Sequence, residues 1–302
     1  MPIVSTNLER YAWLSVAAAL ATIVLKTLAW WLTGSVGLLS DALESLINLA
    51  AAVLALYMLR LAASPPDKGH PHGFSKAEYF SAGIEGGLIV LAAAGILYAA
   101  IPRLIAPREL EAPGLGLTLT VVASAINFAT ALALIRAGKA NHSITLEADG
   151  QHLMTDVWTS AGVIFGVALV YLTGWLRLDP LVALAVAVHV VWTGVGLVRR
   201  SVSGLLDAAI PHEDQREVDK IFAEYAKRYG MTFHALRTRQ AGARRFITFH
   251  MLVPDQWTVA QAHRLSEEIE SRIRALVPNA SIVTHIEPIS DPASYDDQEL
   301  DR

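Results

Sequence analysis

Six long apolar runs dominate this sequence, and they restrict the chain to a fold that hides its backbone from lipid. They lie at roughly Tyr11–Leu32, Val36–Leu59, Tyr79–Ile101, Leu115–Ile135, Leu153–Trp175 and Pro180–Leu197. Each is close to or above the roughly 20 residues that a helix needs to cross a bilayer. In hydrocarbon every N–H and C=O must bond within its own segment, so the runs read as membrane helices. Trp30, Trp31, Trp175 and Trp192 fall near run ends, where aromatic belts form. The first run exceeds the core of a signal peptide, about 7–15 residues, and reads as a retained span.

Charge divides the chain. Of the 302 residues only 17% are charged, against 53% hydrophobic; soluble domains carry about 25% charged residues. The charges concentrate after Asp207. Residues 1–206 are therefore expected to form a transmembrane domain, residues 207–290 a small soluble domain, and residues 291–302 an acidic tail without fixed structure. A net charge of −4 gives no case for nucleic-acid binding. With no cysteine, any metal must be held by His, carboxylates and amides. Basic residues set the orientation. Arg10, Arg60, Lys68, Lys76, Arg136, Lys139, Arg199 and Arg200 fall on one side; Arg103, Arg108 and Arg177 fall on the other. The richer side is expected in the cytoplasm, with both termini, in an inner-membrane protein. Lys26 lies inside the first span, where it is expected to snorkel or pair.

The soluble part alternates differently. Glu213–Tyr229 has helical periodicity, with Val218, Ile221, Phe222 and Tyr225 on one face. Thr232–Arg239, Arg245–Leu252 and Ser281–Glu287 read as strands, and Val259–Leu276 as a second helix. The order αββαβ predicts helices packed on one face of a small sheet.

Two spans carry matched polar faces. Asp41, Glu44 and Asn48 on the second have the spacing of Asp149, His152 and Asp156 on the fifth. Each set falls on one helical face, and polar faces inside a membrane turn to the bundle interior. Opposed, they gather Glu44, Asn48, His152 and Asp156, enough ligands for a tetrahedral divalent ion. The two carboxylates would balance its charge. Asp41 and Asp149 are assigned supporting roles along the path, and a register using Asp41 and Ser45 ranks lower.

Through these residues and the motifs around them, the sequence resembles the cation diffusion facilitators along nearly its whole length. The likeness rests on Leu25-Lys26-Thr27-Leu28-Ala29-Trp30-Trp31 with Gly34-Ser35, on Asp41-Ala42-Leu43-Glu44-Ser45-Leu46, and on His70-Pro71-His72-Gly73-Phe74-Ser75-Lys76-Ala77-Glu78. It rests also on His152-Leu153-Met154-Thr155-Asp156 and Leu236-Arg237-Thr238-Arg239-Gln240. The resemblance implies a dimeric six-helix exporter with a ferredoxin-like cytoplasmic domain, whose transport site maps onto Glu44, Asn48, His152 and Asp156. Members with two acidic residues, or His and Asp, on the second span are commoner. Glu then Asn gives more oxygen character and moves preference from zinc toward iron or manganese.

The resemblance also implies two further metal sites. One is a loop site at Asp67 and His70, left partial because the next family histidine falls at Phe74; His72 could substitute. The other lies in the soluble domain at His234, His250, His263, His285 and Glu287; four histidines within about fifty residues already point there. Lys76 is expected to pair with Asp207.

The expected function is efflux of a divalent transition metal by a non-enzymatic homodimer. Zn²⁺ leads, with Fe²⁺, Mn²⁺, Co²⁺ and Cd²⁺ as other candidate substrates and ligands. Protons are the counter-substrate, because metal ligands must be deprotonated. Alternating access moves the site, and metal on the soluble domain regulates the dimer. Two rivals come from other classes. A membrane-embedded metal hydrolase lacks the His-Glu-x-x-His motif. A metal sensor leaves the matched intramembrane motifs unexplained.

Overall fold

The computed structural model describes residues 6–33, 36–107 and 115–296. The Gly34-Ser35 break, Arg108 and residues 297–302 of the acidic tail lie outside the described residues, as do the side chains of Asp41 and Glu44. The chain divides into two units, Met1–Val202 and Ser203–Arg302.

The first unit holds six helices long and apolar enough to cross a membrane. They are α1 (Thr6–Thr33), α2 (Val36–Ala63), α3 (Ala77–Ile105), α4 (Leu115–Asn141), α5 (Ile144–Thr173) and α6 (Leu178–Leu205, which runs past the unit boundary). All six expected spans are helical. The fifth begins earlier than its apolar run, at Ile144 rather than Leu153. Ser143 caps it, its Oγ accepting from Leu146 N at 3.5 Å, a contact worth about 1 kcal/mol. The same hydroxyl donates to Glu78 Oε2 on α3 at 2.5 Å. The polar turn that hydropathy skips, Glu147 to His152, is thus helix buried in the bundle.

α5 is shared by two clusters. On one side Leu146 and Leu153 pack with Ala12 and Val16 of α1, Leu56 of α2 and Leu134 of α4. On the other, Ile144 and Ala148 pack with Ile89 of α3 and Val190 of α6. Small residues let these backbones approach. A Cβ at Gly150 would stand 3.0 Å from Ile135 N and 3.1 Å from Ala131 O. Across α3 and α6, a Cβ at Gly86 would stand 3.1 Å from Gly194 O. Ion pairs tie helix ends: Arg60 to Glu9 at 3.3 Å, Arg200 to Glu147 at 3.0 Å and Arg103 to Asp179 at 3.9 Å. Lys26 is buried.

The second unit is the expected αββαβ domain. It comprises α7 (His212–Tyr229), β1 (Thr232–Ala241), β2 (Arg244–Val253), α8 (Val259–Leu276) and β3 (Ala280–Pro288). β2 is central, antiparallel to β1 and parallel to β3. Val218, Ile221, Phe222 and Tyr225 of α7 meet Ile247, Phe249 and Met251 of β2 and Ile269 and Ile273 of α8. Phe222 stacks on Phe233 at 4.3 Å. Thr258 and Gln261 form a capping box that starts α8. The tail was expected without structure from residue 291. Instead Pro292–Tyr295 makes a 3-10 turn, held by Ser294 Oγ donating to Pro288 O at 2.9 Å and Tyr295 OH to Ile289 O at 2.8 Å.

Candidate metal centre

α2 and α5 bring the polar faces together. Asn48 Nδ2 donates to Asp156 Oδ2 at 2.5 Å. With its amide so turned, Asn48 Oδ1 accepts from His152 Nε2 at 2.8 Å. Asn48 and His152 are each 6% exposed. The imidazole and the amide are buried, the carboxylate is half-buried, and the three form one chain between the two helices. Glu44 lies on α2 one turn before Asn48, and its side chain lies outside the described residues. Asp149 is buried one turn before His152.

One residue at this centre escaped the sequence reading. Asn127 of α4, 3% exposed, points Nδ2 at the same Asp156 Oδ2 from 3.4 Å. A lone Asn in an apolar run reads as glue between helices; only the register of α4 on α5 places it here.

The soluble domain builds its cluster from strand register. His234 of β1 pairs across from His250 of β2, which pairs across from His285 of β3. Residues directly opposite share a face, so the three histidines form a row across the sheet. Ala235 has φ 48° and inserts an extra residue, so that three β1 steps, His234 to Arg237, face two β2 steps, His250 to Thr248. That bulge keeps His234 and Arg237 on the same side; a regular strand would send them to opposite sides. His234 Nε2 lies 3.1 Å, and His250 Nδ1 3.2 Å, from Glu287 Oε2. These three residues are the group among the described residues whose ligand atoms all lie within 4.8 Å of one another. Two ring nitrogens aimed at one carboxylate oxygen is a donor set that fits a divalent cation. His285 stands beside it, Nδ1 3.5 Å from Glu287 Oε1, and more exposed. His263 lies on the exposed face of α8, outside the group.

In the loop between α2 and α3, Asp67 and His70 come together and His72 is exposed. Asp67 Oδ1 accepts from His70 N at 2.6 Å and lies 3.2 Å from His70 Nδ1. The His70 amide holds the Asp67 carboxyl below its ordinary value. The His70 ring packs on Phe74 at 4.4 Å. Asp207 pairs with Arg239, Nη1 to Oδ1, at 3.3 Å.

Six helices long and apolar enough to cross a membrane, a hydrogen-bonded His–Asn–Asp chain between two of them, and a small domain with its own His–Glu cluster fit a membrane transporter for cations. Residues 12–206 match the cation efflux transmembrane domain, and residues 210–289 match the cation efflux protein cytoplasmic domain. The chain belongs to the cation efflux, or cation diffusion facilitator, family. It is 52% identical over 285 residues to a transporter of Synechocystis sp., sll1263, described as uncharacterized; the match covers 94% of this chain and 92% of that one. It is 31% identical over 274 residues to the cation-efflux pump FieF of Pectobacterium atrosepticum, covering 91% and 90%. Against FieF of Salmonella arizonae it is 30% identical over 282 residues, covering 93% of each. The protein is thus a multi-pass membrane member of a divalent-metal efflux family.

Proposed function

We propose that this chain exports divalent transition metals from the cytoplasm in exchange for protons, working as a homodimer by alternating access. The observation that carries the reading is the hydrogen-bonded chain His152–Asn48–Asp156 between α2 and α5. These groups bond to one another. A divalent ion must displace those bonds and take the His152 nitrogen and the Asp156 carboxylate as ligands. Both bind metal only in their proton-free form, so metal and protons exclude each other there. Glu44, one turn before Asn48, supplies the second negative charge. Zn²⁺ is within the reach of this donor set. A second reading, preference for Fe²⁺ or Mn²⁺, is favoured by the neutral amide oxygen of Asn48 in place of a further carboxylate or imidazole.

The soluble domain would hold a regulatory ion at His234, His250 and Glu287, with His285 alongside. Such an ion biases the dimer only insofar as it binds one arrangement more tightly. The excess of Lys and Arg at one end of the helices supports a cytoplasmic position for that end and for both termini. The Asp67–His70 pair supplies two ligands, too few to hold an ion without further groups.

The test is metal uptake into proteoliposomes with an acidic lumen, with lumenal pH recorded. Antiport gives uptake of Zn²⁺, Fe²⁺, Mn²⁺, Co²⁺ or Cd²⁺ together with lumenal alkalinisation. Uptake that leaves lumenal pH untouched and ignores the gradient would rule out proton exchange.

A further inference from the structure

We infer that Asn127 is a ligand of the transported cation, contributed by α4, and that its carboxamide oxygen moves the site's preference toward Mn²⁺ or Fe²⁺ over Zn²⁺. The inference rests on the transport site proposed above and extends it by one residue and one helix.

The placement of Asn127 is fixed by helix packing. Gly150 lets α5 close on Ala131 and Ile135 of α4. Lower in the same antiparallel register, Gly138 of α4 closes on Glu147 of α5, where a Cβ would meet Glu147 N at 2.7 Å. One turn from Ala131 in the other direction is Asn127, and the register sets it against Asp156. Its Nδ2 lies 3.4 Å from Asp156 Oδ2, the oxygen that also accepts from Asn48. Asp156 Oδ2 is thus held by two amides from two helices.

The other half of the Asn127 side chain is buried. Its Oδ1 has no hydrogen-bond partner among the described residues. Buried carbonyl oxygens in native proteins are nearly always satisfied. A half-turn of the amide plane exchanges oxygen and nitrogen with almost no change in shape. Nδ2 faces the carboxylate and donates to it. Once a cation sits at Asp156 Oδ2, an N–H facing it is repelled, and the turned oxygen is attracted. The same side chain then serves both states.

Asn127 brings the donor set to Glu44, Asn48, His152, Asp156 and Asn127: one nitrogen and otherwise oxygens. Zn²⁺ is commonly satisfied by four ligands in a tetrahedron. Oxygen-rich sites with five or six ligands suit Mn²⁺ and Fe²⁺ better.

The test uses the full-length protein and Co²⁺ as the probe, whose visible band is intense in four-coordinate sites and weak in five- or six-coordinate ones. The spectrum of the wild type minus that of Asp156→Ala isolates the membrane site from the cytoplasmic cluster. The wild-type difference band is expected to be weak. Asn127→Leu, which keeps the volume and removes the oxygen, is expected to intensify it severalfold. In proteoliposomes the same substitution raises the Zn²⁺:Mn²⁺ flux ratio about tenfold, the change that about 1.4 kcal/mol of lost preference produces. An intense wild-type band overturns the proposal even if Asn127→Leu fails to fold. So does an Asn127→Leu protein with an unchanged band and flux ratio, which makes Asn127 only a packing contact. If instead Asp156→Ala alters neither spectrum nor uptake, the transport site itself has been misplaced.

Discussion

Asn48 Nδ2 lies 2.5 Å from Asp156 Oδ2, so α2 and α5 meet through an amide and a carboxylate rather than through two carboxylates. The amide can face both ways at once, donating to Asp156 and accepting from His152. A second carboxylate at position 48 would lack the donor and would repel Asp156.

Asn48→Asp therefore changes both the metal order and the proton response. Two carboxylates at this separation titrate as a coupled pair. Flux should rise for Zn²⁺ relative to Mn²⁺ and fall more steeply as the cytoplasmic-side pH is lowered. Competitive uptake measured across a series of external pH values checks this. The same metal order and the same pH slope as wild type would remove Asn48 from the site.

Gly150→Val should separate α4 from α5. The added carbons meet Ile135 N and Ala131 O, which are backbone atoms that cannot rotate away. Forcing such contacts costs about 1–3 kcal/mol. The melting temperature in detergent should fall, and the Asn127–Asp156 contact should open. Gly87, where an added Cβ would meet no neighbouring element within 4 Å, is the control: Gly87→Ala should leave the melting temperature close to wild type.

The cytoplasmic cluster predicts an order among its histidines. His250→Ala or Glu287→Ala should weaken Zn²⁺ binding to the soluble domain of the full chain by tenfold or more, the order expected from losing one ligand contact of about 1.4 kcal/mol. His263→Ala should weaken it far less, because that residue stands outside the group of converging atoms. Neutral imidazoles are the ligands, so protons compete with the ion and affinity should fall as pH is lowered. Titration calorimetry at several pH values, on an Asp156→Ala background, reads this directly. Equal losses at His250 and His263 would count against the group as drawn.

Asp255 fastens the segment after β3, its Oδ1 accepting from Ser290 N at 3.2 Å. Bonds from the Ser290 side chain and then its backbone lower the Asp255 pKa below the ordinary 3.8. A carboxyl with a depressed folded value stabilises fully above its unfolded value and stops doing so as pH falls through the folded one. The Ser290 amide should stay protected from hydrogen exchange down to about pH 4 and lose protection below it. Asp255→Ala should remove that protection at every pH.

The parts of the protein that obey a period were visible in the residues alone. Apolar length marked the six spans, and alternation marked Phe246, Thr248 and His250 against Ile247, Phe249 and Met251 in β2. The pairing of Asn48 with His152 and Asp156 was legible because both helices repeat the same spacing. What lacked a period was hidden. The start of α5 was missed because its first turns are polar and are satisfied by Glu78 and Arg200 from other helices. The row of three histidines depends on a bulge at Ala235 that nothing local announces. Asn127 stands alone in its run, and only the Gly150 contact sets it beside Asp156.

The central claim is that metal crosses the membrane through the site at Asp156, in competition with protons. Metal uptake by Asp156→Ala proteoliposomes with an acidic lumen tests it most directly. Loss of a ligand and of a buried charge together should bring uptake of every tested metal down to that of protein-free liposomes, and lumenal pH should stay constant when metal is added. Wild-type rates of metal uptake and proton release from Asp156→Ala would contradict it.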